Sequence, residues 1–143
     1  MYPVAVGVLD SEANENWVWF MERLKEAIGS PVGLTFCIDC GQAVMNGVSL
    51  VFLEAKHREC MWHLVQNFKK RYSGKVFDNH LWASAYSWSP YMFEKHYGAM
   101  ATAKPEAMQY LQQPHKKLWT RSQFSTNSIV DCVINNLAES FNN

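Results

Sequence analysis

The pattern of apolar and polar positions over residues 1–60 predicts strands alternating with helices. Short strands are predicted at 3–9, 34–38 and around 57–60. Apolar positions with the spacing of one helix face occur over 17–28 and 44–52. Asn14 or Asn16 is expected to cap the first helix and Gly29 to end it, whereas Gly47 weakens the second helix. This order predicts an α/β fold with a partly parallel sheet.

After residue 60 the pattern predicts helices only. Their expected ranges are 61–72, 75–87, 91–101, 105–113 and about 128–141, with breaks at Gly74, Pro90, Pro105 and Pro114. The sequence contains no internal repeat or low-complexity tract, and its 143 residues fit one domain.

The composition indicates a globular chain without a membrane span or a disulfide framework. Hydrophobic residues make up 48% of the sequence, and six Trp, six Tyr and eight Phe are enough for a core. No apolar run approaches the roughly 18 to 20 residues that cross a bilayer. The formal net charge of zero argues against holding nucleic acid by bulk electrostatics alone. Four cysteines are too few for a disulfide scaffold.

Asp39 is the first residue with candidate chemistry, because it follows the apolar strand 34–38 directly. Ligands of open α/β sheets bind beyond the carboxyl ends of strands, so an acidic side chain there is well placed for a metal ion or a polar substrate. The alternative is that Asp39 caps the following helix, a role in which Asp is common. The residue pattern alone leaves both interpretations open.

A second candidate is a four-ligand set with the spacing C-x2-C-x19-C-x2-H. It consists of Cys37, Cys40, Cys60 and His63, which are ligand types typical of zinc. A CxxC between a strand and a helix is also typical of a redox centre. The alternation of the strand counts against zinc, because it directs Cys37 and Asp39 to one face and Phe36 and Ile38 to the other. Cys60 and His63 alone would be neighbours on one helical face, where a buried thiol beside a satisfied histidine is the simpler interpretation.

The remaining candidates are polar and basic positions in the helical region. Glu139 lies among asparagines on the predicted last helix, where a solvated face is the simplest interpretation. Small basic clusters that could contact phosphates, or could simply be solvated surface, are Lys69, Lys70 and Arg71, and Lys116 and Lys117 with Arg121.

Several blocks of the sequence, taken together and in order, resemble a known family. They are MYPVAVGVLDSEANENWVWFMERLKEAIG, LTFCID, AKHRECMWHLVQNFKKRY, the stretch from Trp119 to Thr126, and NNLAESFNN. Over nearly its whole length the sequence is similar to the catalytic core of plant Mutator-like element (MULE) transposases. The resemblance implies a ribonuclease H-like fold with an Asp-Asp-Glu triad, in which two divalent ions assist phosphodiester cleavage and strand transfer.

The resemblance also implies roles for individual residues. Asp39 would be the second Asp and Glu139 the Glu of the triad, both holding Mg²⁺ or Mn²⁺. Cys60 and His63 would be the family's CxxH motif in a supporting role. Residues 1–60 would be the α/β part, 61–118 a helical insertion and 119–143 the segment with the Glu-bearing helix. DNA element ends would be the partner, oligomerisation is possible in intact relatives, and the location would be the nucleus.

Two departures from the family shape the expected function. The family's first Asp lies on a strand upstream of the region that matches Met1, and Asp10 does not replace it. Cys40 stands where the family tends to have Arg. We therefore expect an incomplete ribonuclease H-like fold of about three strands with an all-helical insertion after the last strand. We expect no cleavage activity from this chain alone and no stably held metal.

Two other functional classes stay open at this point. One is a domesticated, transposase-derived regulator that associates with DNA without catalysis. The other is a small zinc or redox module built on Cys37, Cys40, Cys60 and His63.

Overall fold

The computed structural model describes residues 4–39, 41–112, 118–124 and 133–134. The elements in chain order are α1 (Asn14–Ile28), β1 (Thr35–Ile38), α2 (Gln42–Val51), β2 (Lys56–Glu59), α3 (Met61–Lys69), α4 (Lys75–Tyr86), α5 (Pro90–Ala103) and α6 (Pro105–Gln112), followed by a 3-10 turn at Arg121–Gln123. The predicted helices between residues 14 and 113 are confirmed, as are the strands at 34–38 and 57–60. The predicted last helix at about 128–141 is wrong for residues 133–134, which form no helix: the Val133 carbonyl accepts the Met61 amide at 2.7 Å. The other residues of that range lie outside the described part of the chain.

The predicted strand at 3–9 is wrong for residues 4–9, which form no strand. Val4, Val6 and Val8 are largely exposed. An apolar run becomes a buried strand only when another strand satisfies its backbone groups, and the sheet in the described part of the chain contains β1 and β2 alone. The segment lies on α1 instead: a Cβ added at Gly7 would meet the Phe20 ring at 2.6 Å.

The sheet consists of β1 and β2 paired in parallel, with Thr35 opposite Lys56 and Ile38 opposite Glu59. Phe36 and Ile38 pack against the apolar cluster of α1 and α2, so the predicted alternation of β1 is confirmed. The fold is mixed, with helices outnumbering strands among the described residues, and an incomplete ribonuclease H-like fold stays a prediction.

Helices α1 and α2 cross closely beside the sheet. A Cβ added at Gly47 of α2 would lie 3.1 Å from backbone and side-chain atoms of Trp17 on α1, so the glycine permits the approach. Lys25 of α1 donates to the carbonyl of Val51 at 2.7 Å, a favourable place for a cation at the carboxyl end of α2. Gly29 ends α1 with φ 68°, as predicted, but the N-cap of α1 is Ala13, not Asn14 or Asn16.

Helices α3 to α6 enclose the larger core. Its completely buried side chains include Phe68, Phe93, Leu64, Met100 and Trp119. The breaks between these helices follow local chemistry: Ser89 accepts a hydrogen bond from the Met92 amide, and Pro90 begins α5. Within the described residues, no helix is both long and apolar enough to span a membrane.

Two hydrogen bonds attach later parts of the chain to the end of β2. The Glu59 amide donates to the Leu118 carbonyl at 3.3 Å, and the Met61 amide donates to the Val133 carbonyl at 2.7 Å. Residues 118 and 133 therefore lie where β2 passes into α3.

Candidate functional site

The candidate site lies at the carboxyl end of the two-stranded sheet, where Asp39 follows β1. Its side chain is exposed, and Oδ1 accepts a hydrogen bond from the Gly41 amide at 3.0 Å. The helix-cap interpretation is wrong in detail, because the N-cap of α2 is Gly41 and no side chain caps it. The Asp39 carboxylate instead accepts the Gly41 amide in front of α2 and is open to solvent.

Gly41 leaves the space that this carboxylate occupies. A Cβ added at Gly41 would lie 2.9 Å from Asp39 Oδ1 and 3.2 Å from a Val44 methyl group. A larger residue at position 41 would push the carboxylate aside or break its bond to the amide. The sequence analysis did not single out Gly41, although a glycine two residues after an aspartate is a recognisable turn signal.

Cys60 is placed beside Asp39 by the parallel register, because Ile38 pairs with Glu59 and each candidate follows its strand directly. The Cys60 amide donates to the Ile38 carbonyl at 2.8 Å, and the residue is the N-cap of α3. Its side chain is completely buried. The buried residue, through this backbone bond, holds the start of α3 against the end of the sheet.

His63 lies in the first turn of α3, three residues after Cys60. The ring is half-buried, its Nδ1 atom is buried, and the Trp62 ring meets it edge-on at 5.3 Å between centroids. Cys60 is the extended N-cap residue before α3 and His63 lies within the helix, so their placement on one helical face stays a prediction.

Glu139 and Cys40 fall outside the described residues. The described residue nearest to Glu139 in sequence on its amino-terminal side is Ile134, after Val133, whose carbonyl accepts the Met61 amide. The chain six residues before Glu139 is thus attached to the first residue of α3, next to Cys60. The role of Glu139 itself stays a prediction.

The zinc alternative has no support in the described part of the chain. No group of three or more His, Cys, Asp or Glu side chains there could hold a metal ion, so Cys37, Cys60 and His63 do not form one. Cys37 is opposite Arg58 in the sheet, whereas Cys60 is buried at the start of α3. The fourth ligand of the pattern, Cys40, is not described, and the alternative stays a prediction.

Those basic candidates that the structure describes contact different neighbours. Lys69 forms an ion pair with Asp78 in the first turn of α4 at 2.8 Å, Lys70 donates to Asn67, and the Arg71 guanidinium lies 5.2 Å from the Tyr110 ring centroid. Arg121 instead lies over Tyr86, the last residue of α4. Asp78 and Tyr86 are separated by about 12 Å along a helix. Lys116 and Lys117 are not described.

The comparisons with known proteins bear on the amino-terminal part of the chain. No curated protein and no solved structure gives a significant match to the sequence. Residues 1–67 match the family model of the MULE transposase domain, a range that contains Asp39, Cys60 and His63 but not Glu139. The match ends within α3, before most of the larger core. The amino-terminal 67 residues of this chain are therefore similar to a MULE transposase domain, which supports a Mutator-like transposase family for them.

Proposed function

We propose that this chain is part of the catalytic core of a Mutator-like DNA transposase, with Asp39 and Glu139 as two of its catalytic carboxylates. One observation carries the proposal. Within the range similar to the MULE transposase domain, Asp39 is exposed at the carboxyl end of a parallel strand, where ligands of such sheets bind. The proposed substrate is the DNA at the ends of a transposable element.

The proposed metal is Mg²⁺ or Mn²⁺, and the chemistry of Asp39 fits it. A solvent-exposed carboxylate provides hard oxygen ligands and leaves room for bound water, as these ions prefer. When bound, the ions would stabilise the attacking and leaving oxygens of a phosphodiester. Gly41 would keep the carboxylate in place through its amide, and Glu139 would supply a second carboxylate.

Cys60 and His63 are proposed as supporting residues. The burial of Cys60 and its backbone bond to Ile38 favour a structural role at the junction of β2 and α3. Because α3 starts there, a substitution at Cys60 would move His63 and would shift the carboxyl end of the sheet, where Asp39 lies. Neither residue needs to touch the metal for this role.

The proposal includes a limit on the activity of these 143 residues by themselves. They contain matches to two carboxylates of the Asp-Asp-Glu triad that the resemblance implies. We propose that a polypeptide of this sequence holds the metal weakly and does not cleave DNA alone. Oligomerisation and a nuclear location are further proposals that rest on the family similarity.

Metal binding by the purified polypeptide tests the site. Free Mn²⁺ is followed by electron paramagnetic resonance while the protein is titrated. Asp39→Asn and Glu139→Gln are each expected to weaken Mn²⁺ binding several-fold, because each removes a carboxylate ligand. The matched control is Glu22→Gln, which changes an exposed carboxylate on α1 and should leave the titration unchanged. Equal weakening by all three variants would overturn the assignment.

Plasmid nicking tests the limit on activity. Supercoiled DNA is incubated with the polypeptide and Mn²⁺, and Asp39→Asn serves as the reference. We expect no nicking above this reference. Metal-dependent nicking that Asp39→Asn abolishes would show that these residues suffice for cleavage, and the proposed inactivity would be wrong.

A further inference from the structure

A row of cations and aromatic rings, in which each of two arginines is followed by two rings, connects β2 with α4. We name it the cation–aromatic ladder; its members are Arg58, Phe124, Trp88, Arg121, Tyr86 and Trp82. The Arg58 guanidinium lies 3.5 Å from the Phe124 ring centroid, and the Trp88 ring meets Phe124 edge-on at 6.3 Å. The Arg121 guanidinium lies 5.4 Å from the Trp88 centroid and 4.7 Å from that of Tyr86. Tyr86 stacks on Trp82 at 5.7 Å with an angle of 21°.

The segment that carries Arg121 is firmly held. Trp119 and Thr120 are completely buried, and Thr120 Oγ1 donates to the Ser84 carbonyl of α4 at 3.2 Å. On the other side, the Leu118 carbonyl accepts the Glu59 amide of β2. The position of Arg121 between two rings is therefore set by the fold before any ligand binds.

The ladder is buried at Arg58, exposed at Trp88 and Tyr86, and partly buried again at Trp82, which packs against the larger core. Arg58 is only 4% exposed, whereas Trp88 is 57% and Tyr86 41% exposed. Tyr91 and Met92, in the first turn of α5, are exposed as well. Large exposed apolar side chains close in sequence, as between residues 86 and 92, are typical of an interaction surface, since leaving them in water costs hydrophobic free energy.

We propose that the exposed part of the cation–aromatic ladder, formed by Trp88 and Tyr86 with Arg121 between them, binds an unpaired stretch of DNA strand. Aromatic rings bind single strands by stacking on bases, whose faces are accessible only where the duplex is open. A planar guanidinium both stacks on rings and pairs with phosphate, so Arg121 between Trp88 and Tyr86 suits a nucleotide. The choice of DNA rests on the proposed function, in which strand ends are processed.

The charge of the chain sharpens this inference. With a formal net charge of zero, the protein has no excess of cations to hold a duplex along its backbone. Stacking must then supply a large share of the binding free energy. Each phosphate contact to a single strand contributes about −0.7 to the slope of log K against log salt, so a shallow slope of about −1 is expected.

Fluorescence anisotropy with a labelled oligothymidylate of about 12 nucleotides tests the proposal. The titrations contain EDTA, so neither metal binding nor cleavage at Asp39 affects the result. Trp88→Ala is expected to weaken binding about tenfold, the loss of one stacked base, and Trp88→Phe to restore most of it. Arg121→Lys should also weaken binding, because the lysine ammonium keeps the positive charge but lacks the planar group that stacks on rings. The matched control is Trp19→Ala, which removes a 49% exposed Trp from α1 and should change nothing.

Competition and folding measurements make the test decisive. Unlabelled single strand should displace the probe far better than the same sequence as a duplex. Circular dichroism checks that each variant is folded. If Trp88→Ala does not fold, Trp88→Phe and Arg121→Lys still test the proposal. Equal losses for Trp88→Ala and Trp19→Ala, stronger competition by duplex or RNA, or a steep salt slope would each overturn the proposal.

Discussion

The amino-terminal part of the molecule (residues 4–60) and the helical part (residues 61–112 with 118–124) are packed very differently. The buried apolar cluster of the amino-terminal part is small: Met21, Val44, Val48, Val51 and Phe52. The helical part has a larger core with several aromatic rings: Phe68, Phe77, Phe93, Tyr97 and Trp119. Nevertheless, the amino-terminal part carries Asp39 and most of the range similar to the MULE transposase domain. The difference indicates that the helical part provides most of the stability, whereas the amino-terminal part with the smaller core carries the candidate catalytic residue.

Two buried phenylalanines, one in each part, give the largest expected effect. Phe68 packs against the rings of Tyr72, Phe77 and Tyr110. Phe52 meets the ring of Phe36 at 5.0 Å. Replacing a buried Phe by Ala costs about 3 to 5 kcal/mol. We expect Phe68→Ala at the upper end of this range and Phe52→Ala at or below its lower end, because fewer buried neighbours surround it.

Urea unfolding followed by circular dichroism measures both free energies. The free energy of unfolding should fall with urea concentration at the same slope in the variants and the parent. Equal slopes would show that the substitutions leave the denatured state unchanged and destabilise the native state. A larger loss for Phe52→Ala than for Phe68→Ala would reverse the assignment of stability to the helical part.

The elements that depend on local chemistry could be predicted from the sequence. The apolar spacing of α1, the alternation of β1 and the breaks at Gly74 and Pro90 are confirmed, because period, propensity and turn residues act within a few positions. The strand at 3–9 was predicted by the same rules and is wrong for residues 4–9, since strand formation also requires a distant partner. Local patterns do not specify that partner.

The candidate site shows the same division. The place of Asp39 at a strand end could be predicted, because the apolar run before it is local. A buried thiol at Cys60 could also be predicted, and it is confirmed. The ladder around Arg121 could not, since it joins residues far apart in sequence. Gly47 illustrates a third case: the sequence indicated only a weaker helix, whereas the structure shows a close crossing with Trp17.

Two helical glycines sharpen the comparison with a smaller effect. Alanine favours a helix over glycine by about 1 kcal/mol. At Gly98 of α5 an added Cβ meets nothing within 4 Å, so Gly98→Ala is expected to stabilise the protein by about 0.5 to 1 kcal/mol. At Gly47 the Cβ would lie 3.1 Å from Trp17 backbone atoms, so Gly47→Ala is expected to destabilise by about 1 to 3 kcal/mol.

Thermal unfolding of the two glycine variants beside the parent checks both signs. If Gly47→Ala were as stabilising as Gly98→Ala, α1 and α2 would have room to separate. The stability of the amino-terminal part would then not depend on the close crossing of these two helices.

The smallest expected effect is a loss of stability in acid that arises in the helical part. His80 Nδ1 and His96 Nδ1 lie 2.9 Å apart between α4 and α5, so one ring donates and the other accepts. Burial, His80 and Lys95 together lower the pKa of His96 below 6.5. The folded protein therefore binds fewer protons than the unfolded chain, and its stability falls as the pH decreases through 6.5.

The measurement is the unfolding midpoint at pH values of about 7.5 and 5.5. His57 of β2 also has a pKa lowered by burial, so the parent protein should lose stability in acid from both parts. His96→Gln is expected to reduce the loss, because it removes the ring whose pKa is lowered. His80→Gln should act in the same direction, because it removes one cause of that lowering. If neither variant changed the loss while His57→Gln removed it, the acid sensitivity would belong to the amino-terminal part, and the close histidine pair would have no energetic consequence.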